Sequence, residues 1–531
     1  MLSVAAQARL FGRLAVRLRP FLRSPIGAEQ ARTMCERGLA EREASFLRGI
    51  KRGIYPHHDN PYRRLLRHAG IEFDDLQQMV RRDGLEPTLE ALFDAGVHVG
   101  LDEFKGRVPI RRGSLEFCAT SHDFDNPLAA RDFTSRTGGS RSSGTRLVVD
   151  LDLLAHDAAY VHHQLAAFGL LGLPTFVWCS TPPFISGISE ILRLAKLGIT
   201  PRRWFAQSVA KLGSRSWRHA AVTRTVLAAC RAHGYKVPSP IEMPLGNARA
   251  LAQALAEAKR HGERAVLRAN GSSAVRVCVA ALADGIDISG TTMRVSAEPF
   301  TPGKAEVVRR AGCTAAPWYA TSEAGIIGLP CADPAAVDDV HFMADKLALI
   351  RRHKTLRGGQ RVLVNVYTTL SSSTPKLMVN VMSDDYAEVM QRQCGCPLAR
   401  LGYHTHFHTI RSHEKLTSEG MTFLGHDLIR LVEEVLPARF GGGPTDYQFV
   451  EEERDGLPRV DLLVSPRLGP LDEAAVVAAA LDFLDHLPGA QMDFGDRWRQ
   501  GGTLSIRRQD PLPTAASKVL ALHVARPRPS K

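Results

Sequence analysis

The sequence predicts an α/β fold: a large multi-layered N-terminal domain with parallel or mixed sheets, followed by a small α+β C-terminal domain. Three observations lead there. The chain has 531 residues, more than one hydrophobic core normally organises. From Phe133 onward short apolar runs alternate with helical stretches, the pattern of strands joined by crossovers. Near the C-terminus Gly441–Gly443 forms a flexible joint within a tail long enough for a domain of its own.

Element by element, residues 1–125 read as mainly helical, with polar turns at Pro56–Asn60 and Asp83–Pro87. Strands are expected at Arg146–Leu151, Thr175–Cys179, Arg264–Arg268 and Thr292–Val295. Helices are expected between the first two, through Phe168, and at Ser186–Leu197 and Ser272–Leu282. In the tail, Met421–Leu436 and Leu471–Leu484 read as helices, and Tyr447–Glu451 and Val460–Val464 as strands. The expected division is 1–125 as the helical start of the large domain, 126–409 as its core, 410–416 as a hinge, and 417–531 as the small domain.

Hydrophobic content of 44% and charged content of 23% are those of an ordinary globular protein. No apolar run is long enough to span a membrane. Nine cysteines, an odd number without a disulfide-like spacing, suit a reducing compartment and predict a cytoplasmic protein. The first 28 residues hold no acid but five arginines, Arg9, Arg13, Arg17, Arg19 and Arg23. Leu10, Phe11, Leu14, Val16 and Leu18 recur among them at helical spacing. This segment reads as a solvated helix, with a transit peptide or membrane-surface helix as alternatives, and it lacks the features of an export signal. The net charge of +13 is spread along the chain without an aromatic-interleaved basic block. It favours anionic ligands, nucleotides included, over nucleic acid.

Three segments carry chemistry. Residues 134–145, with Thr134, Ser135, Thr137, Gly138, Gly139 and Ser140, combine glycines, hydroxyls and two arginines, as a loop wrapping a polyphosphate requires. A flexible polar linker has the same composition. In Trp318-Tyr319-Ala320-Thr321-Ser322-Glu323, aromatics, hydroxyls and a carboxylate could stack a base, bind phosphate and hold magnesium. The same Thr-Ser-Glu also reads as a capped helix start. Thr514-Ala515-Ala516-Ser517-Lys518 places one lysine after small residues close to the C-terminus.

In this order, the three segments resemble the adenylate-forming superfamily of acyl-CoA synthetases, adenylation domains and luciferases. Ser296-Ala297-Glu298-Pro299 is similar to the adenine segment of the phenylacetate–CoA ligase branch. Asp385, in Ser383-Asp384-Asp385, falls where the family holds the ribose hydroxyls. Arg411, nine residues before Gly420, falls at the hinge arginine, and Lys518 at the closing lysine. The similarity covers roughly residues 125–525 and rests on collinearity. Arg136, Asp384 and Ser517 stand at family glycines, and His413 at the hinge aspartate.

The resemblance implies ATP-dependent activation of a small carboxylic acid as its acyl-AMP with release of pyrophosphate. Transfer to a thiol of CoA or of a carrier protein then follows. A carboxylate is a poor electrophile, and attack on the α-phosphate turns its oxygen into a leaving group. Magnesium on Glu323, the hydroxyls of the 134–145 loop and Lys518 would neutralise the developing charge. Thr321, Ser322, Tyr319, Ala297, Glu298, Pro299 and Asp385 would hold the nucleotide. The acid pocket is expected between the adenine segment and Trp178–Gly187, lined by Phe184, Ile185 and Trp318, for an aryl or medium acyl acid. The small domain would swing about the hinge between the two half-reactions. Alternatives are amide formation, activation of another oxyanion, or a degenerate nucleotide-binding scaffold, the last favoured by the altered glycines. A homodimer is compatible with the sequence.

Cys331, His341, Cys394 and Cys396 read as C-x9-H followed by C-x-C, three thiolates and an imidazole that suit tetrahedral zinc. Some members of the phenylacetate–CoA ligase branch are similar here. Buried, inert cysteines are the competing reading. His404, His406 and His408 alternate and are expected on a solvent-facing strand. His404 or His406 is also an alternative ligand to His341.

Overall fold

In a computed structural model of the chain, residues 16–130, 133–136, 146–182, 185–206, 217–355, 361–412, 415–418, 421–443, 446–486, 494–512 and 521–524 are described. Helices Ala28–Ala40, Arg42–Gly53, Pro61–His68, Phe73–Asp83 and Leu85–Asp94 fill the first hundred residues. Each turns an apolar stripe inward, for example Phe46 and Ile50, Leu65 and Leu66, or Leu76 and Val80. These side chains pack with Phe342, Leu347, Val364 and Phe407 in one core, so the helical segment is a layer on the sheets that follow it.

The charged start of the chain departs from expectation. Residues 16–23 are helical, but Leu18, Phe21 and Leu22 are buried against the helix Ser186–Lys196 and its neighbours. Lys196 Nζ donates to the carbonyls of Phe21 and Ser24 at 2.9 and 2.6 Å, and Arg17 pairs with Asp152 at 2.8 Å. From residue 16 this segment is an amphipathic helix whose apolar side is docked on the protein and whose Arg19 and Arg23 are exposed.

Six parallel strands form the central sheet, in the order Thr314–Pro317, Thr292–Ser296, Val266–Asn270, Thr175–Trp178, Arg203–Ala206, Pro240–Glu242. The chain starts in the interior at Thr175–Trp178, moves out to one edge, then returns beside its starting strand and moves to the other. The crevice where the order reverses is where such sheets bind ligands. Helices Leu151–Ala167 and Ser186–Lys196 cover one face, and Ala248–Arg260 and Gly271–Ala283 the other.

Beyond Trp318 the chain becomes antiparallel. Tyr319–Thr321, Gly325–Pro330, Val340–Phe342, Thr405–Ser412 and Asp385–Gln391 form a five-stranded sheet in that order, and Leu347–Thr355, Arg361–Thr369 and Val381–Met382 a three-stranded one. Tyr447–Arg454 and Leu457–Val464 form an antiparallel hairpin flanked in parallel by Leu522–Val524 and Leu504–Arg508. With the helix Glu473–Asp485 this sheet encloses a core drawn entirely from Leu428 onward. The helix expected over Met421–Leu436 begins only at Gly425. Met421–Leu424 instead pairs antiparallel with Lys415–Ser418. No helix among the described residues is long and apolar enough to cross a membrane.

Candidate active site and metal centre

Tyr319, Glu323 and Asp385 meet around the antiparallel sheet. Tyr319–Thr321 and Gly325–Pro330 form a hairpin, and Ser322–Ala324 is its turn. The Thr-Ser-Glu segment therefore starts no helix. Gly325, which closes the turn, has φ of 76°, and a Cβ there would sit 2.9 Å from Asp157 Oδ2. Tyr319 donates its hydroxyl to Asp385 Oδ2 at 2.9 Å across 66 residues of sequence. Burial first, and then the Asp385 carboxylate, raise the Tyr319 hydroxyl well above the ordinary tyrosine range, so it stays a donor. Asp385 is further oriented by its backbone N–H, which donates to Ser383 Oγ at 3.0 Å.

Glu323 forms an ion pair with Lys105, contributed by the turn after Leu101–Phe104. The backbone N–H of Lys376 reaches the Glu323 carbonyl at 3.3 Å, while Lys376 Nζ pairs with Asp125 at 2.5 Å. Burial lowers Lys376 from its ordinary value. Sequence reading missed both lysines: Lys105 pairs with the glutamate's carboxylate, and Lys376 holds its backbone. Their signal is absent from any local motif, because Lys105 is 218 residues away. Magnesium commonly takes one or two carboxylates plus substrate phosphates, and the single Glu323 carboxylate fits that role if Lys105 exchanges off it.

Ser296-Ala297-Glu298-Pro299 leaves the carboxyl end of a central strand. Ala297 has φ of 73°, a left-handed conformation that a side chain adopts at a cost and that clusters at functional sites. The Glu298 carboxylate is fully buried, accepting from Ser272 Oγ at 2.7 Å and Ser272 N at 3.2 Å and pairing with Lys304 at 3.1 Å. It caps the helix Gly271–Ala283, whose own preceding residue Asn270 makes no side-chain cap. Lys304 also donates to the Pro299 carbonyl at 2.9 Å. Glu298 thus pins the segment's backbone.

Arg411 lies on the strand Thr405–Ser412 and pairs with Asp338 at 3.0 Å; Asp338 also accepts from the backbone of Thr409 and Ile410. Thr134 and Ser135 lie on the strand Phe133–Arg136, paired antiparallel with Arg146–Val149. Thr137, Gly138, Gly139 and Ser140, Phe184, His413, and Lys518 with its motif lie outside the described residues. Of the expected acid-pocket lining, Ile185 packs among Ile188, Leu192 and Trp204, whereas Trp318 belongs to a different cluster with Tyr160, Leu165 and Leu329.

The cysteine and histidine ligands do converge. Ligand atoms of Cys331, His341, Cys394 and Cys396 all lie within 4.8 Å of one another. Cys331 Sγ is 3.6 Å from Cys394 Sγ, and His341 Nε2 is 3.0 Å from Cys396 Sγ and 3.6 Å from Cys394 Sγ. Tetrahedral zinc, with ligand bonds of about 2.3 Å to sulfur and 2.0–2.1 Å to nitrogen, separates its ligand atoms by roughly 3.5–3.7 Å. The donor set fits. His341 Nδ1 is turned to the Tyr403 carbonyl at 2.7 Å, which leaves Nε2 facing the sulfurs. Hydrogen bonding from Cys331 first, and from His341, holds the Cys396 thiol far below the usual range despite its burial.

His406 contradicts the solvent-facing expectation. The strand Thr405–Ser412 lies inside the five-stranded sheet, between Val340–Phe342 and Asp385–Gln391, so His406 is fully buried. Its Nδ1 is 2.8 Å from Asp339 Oδ1, and its ring centroid is 4.0 Å from that of His341. It groups with Cys331 and Asp339 and stands behind the four-residue cluster.

No protein family and no curated protein matches the chain by sequence. Solved structures do match. A 2-hydroxyisobutyryl-CoA ligase in complex with 2-HIB-AMP and CoA, in the thioesterification state, superposes with a TM-score of 0.54 at 13% identity, covering 95% of this chain and 91% of that one. This chain has the adenylate-forming ligase fold. The same ligase in a postadenylation state with R3-HIB-AMP gives a TM-score of 0.47 at 14% identity over 96% and 92% of the two chains. The first match covers both the large sheets and the C-terminal α+β unit.

Proposed function

We propose that this chain activates a carboxylic acid with ATP, forming an acyl-AMP and pyrophosphate, and transfers the acyl group to a thiol of CoA or of a carrier protein. The observation that carries the reading is the Tyr319–Asp385 hydrogen bond at 2.9 Å. On the adenylate-forming ligase fold it joins two segments that the sequence matched separately to nucleotide-binding motifs. The structural relative's complex with 2-HIB-AMP and CoA supports the same two half-reactions. Asp385 offers carboxylate oxygens to ribose hydroxyls, Tyr319 fixes that carboxylate, and Ala297 and Pro299 offer backbone to the base. Lys105 and Lys518 bring positive charge to the phosphates. Magnesium, when bound at Glu323, supplies charge neutralisation to the same groups.

Zinc on Cys331, His341, Cys394 and Cys396 fills four positions and leaves none open, so its role is to clamp the Gly325–Pro330 hairpin to the segment before Thr405–Ser412. This donor set supports assignment to the phenylacetate–CoA ligase-like branch. The small domain, from about residue 417, would carry Lys518 to the phosphates and swing about Arg411 for transfer.

The test is pyrophosphate release by the purified chain with ATP, magnesium and a panel of acids. Acid-dependent release is expected, and Lys518→Ala should lower kcat and kcat/KM together by about 10²-fold. Absence of acid-dependent release with every acid and acceptor favours the nucleotide-binding scaffold.

A further inference from the structure

The central sheet has two unlike faces. In the paired strands Val266–Asn270 and Thr292–Ser296, Leu267, Ala269, Met293 and Val295 face an apolar core. On the opposite face Arg268 and Arg294 are register partners, side by side. The helix Ser186–Lys196 lies over them with Glu190 and Arg193, and Trp318 closes the group as the chain leaves the edge strand. The Trp318 ring centroid is 4.7 Å from the Arg268 guanidinium, 5.0 Å from that of Arg294 and 5.7 Å from that of Arg193. This group lies beside the crevice where the strand order reverses, immediately before Tyr319 and within reach of Ser296, whose Oγ accepts from Arg268 at 2.6 Å.

Positive charge is in excess here. Glu190, fully buried, takes Arg294 at 2.7 Å, Arg193 at 3.4 Å and Arg268 only at 3.9 Å. Asp157 is 3.4 Å from Arg193, but its other oxygen takes Lys346 at 2.6 Å. Four cations therefore share two carboxylates. Gln164 Oε1 accepts from Arg294 at 3.0 and 2.9 Å, which helps the guanidinium without balancing it. Buried surplus charge is costly unless something neutralises it. Burial lowers Arg294 from its ordinary value, and works to raise Glu190, which the three arginines nonetheless hold below the usual carboxylate range. Several donors are also left over. Arg193 Nε, Arg268 Nε, Trp318 Nε1 and Gln164 Nε2 are buried without a hydrogen-bond partner, an arrangement native proteins rarely leave unfilled.

We propose that these arginines and Trp318 form the far end of the acid pocket and receive a second anionic group, so that the acid activated is a short dicarboxylic acid. The inference rests on the adenylation reading and replaces the aryl or medium acyl acid expected from the sequence. One carboxylate of the diacid reaches the nucleotide. The other takes the unpartnered Nε–H groups of Arg193 and Arg268 and the indole N–H of Trp318.

Pyrophosphate release is measured with succinate, glutarate and adipate against butyrate, pentanoate, hexanoate and phenylacetate. The best diacid should exceed the monoacid of equal length by at least about 10²-fold in kcat/KM, since a site built for a polar group rejects an analogue lacking it. Arg193→Gln should raise KM for the diacid about 10-fold or more with kcat held, and raise that for the monoacid of equal length by much less. Trp318→Phe keeps the ring, removes one donor, and should raise the same KM several-fold. Preference for a monoacid, or equal damage to both classes in these variants, overturns the inference. If no acid supports pyrophosphate release, the adenylation reading fails by itself, and calorimetric binding of glutarate against pentanoate still decides the pocket. Glutarate binding that is lost in Arg193→Gln supports it; no binding, or binding that persists in the variant, overturns it.

Discussion

At the scale of single residues, the Glu323–Lys105 ion pair is where the proposed chemistry meets the fold. Both side chains are largely buried, at 18% and 16% exposure, so each needs its partner when no nucleotide is present. A phosphate chain arriving with magnesium offers the ammonium an anion and the carboxylate a hard cation. Glu323→Gln keeps the shape, leaves Lys105 a neutral acceptor, and removes the charge a cation requires. We expect pyrophosphate release to fall by about 10²-fold and the magnesium requirement to rise. Turnover at the normal rate, indifferent to magnesium across a titration, would reduce Glu323 to a structural partner of Lys105.

At the scale of elements, zinc on the proposed ligands would tie the Gly325–Pro330 hairpin, through Cys331 and His341, to Cys394 and Cys396 before the strand Thr405–Ser412. Metal binding here is coupled to folding. Protein purified without chelator should contain one equivalent of zinc, and Cys396→Ser should lose it and lower Tm by roughly 5 °C or more. Zinc well below one equivalent sinks the site, and a His341→Ala variant that retains zinc hands the ligand role to His406. The four ligands were legible because residue type and spacing alone nominate them. The elements expected at 146–197 and 264–295 were legible too, since apolar periodicity marks them and the observed bounds differ from expectation by a few residues, whereas the strands Arg203–Ala206 and Pro240–Glu242 and the helices Trp217–Ala232 and Ala248–Arg260 went unread. Met421–Leu424 was not, because its apolar run merges with the helix that follows and only pairing with Lys415–Ser418 makes it a strand. The charged cluster was also hidden. Glu190, Arg268 and Arg294 each stand out inside an apolar run, but that they meet depends on a parallel register between strands 26 residues apart, which no local pattern encodes. His406 looked exposed by alternation and is buried because its strand has neighbours on both sides.

At the scale of the whole molecule, the C-terminal sheet is docked on the large one beside the nucleotide segment. Thr301 bonds Glu453, Leu457 enters the core under the helix Pro302–Arg310, and Arg276 donates to the Gly501 carbonyl at 3.1 Å. Glu451, on the docked strand Tyr447–Arg454, feels this contact. Burial first raises its carboxyl from 4.5 to about 7; Lys304 and Arg411 oppose the rise, while Glu298 and Glu453 add to it. Undocked, Glu451 would return toward 4.5 and lose its proton there. The docked state therefore binds a proton that the undocked state releases. Its contribution to docking is fully present below 4.5, is lost as pH rises to about 7, and does not change further above that. If the small domain swings between half-reactions as proposed, neutral pH frees it from this position and acid holds it there. Proteolytic nicking near residues 410–416 should thus be slower at pH 5 than at pH 8, with the overall dimension from small-angle scattering smaller at the lower pH. Glu451→Gln, neutral at every pH, should flatten both dependences and stay near the acid behaviour of the parent. A parent whose nicking rate ignores pH, or a Glu451→Gln chain that keeps the full dependence, would show that this carboxylate does not couple docking to protons.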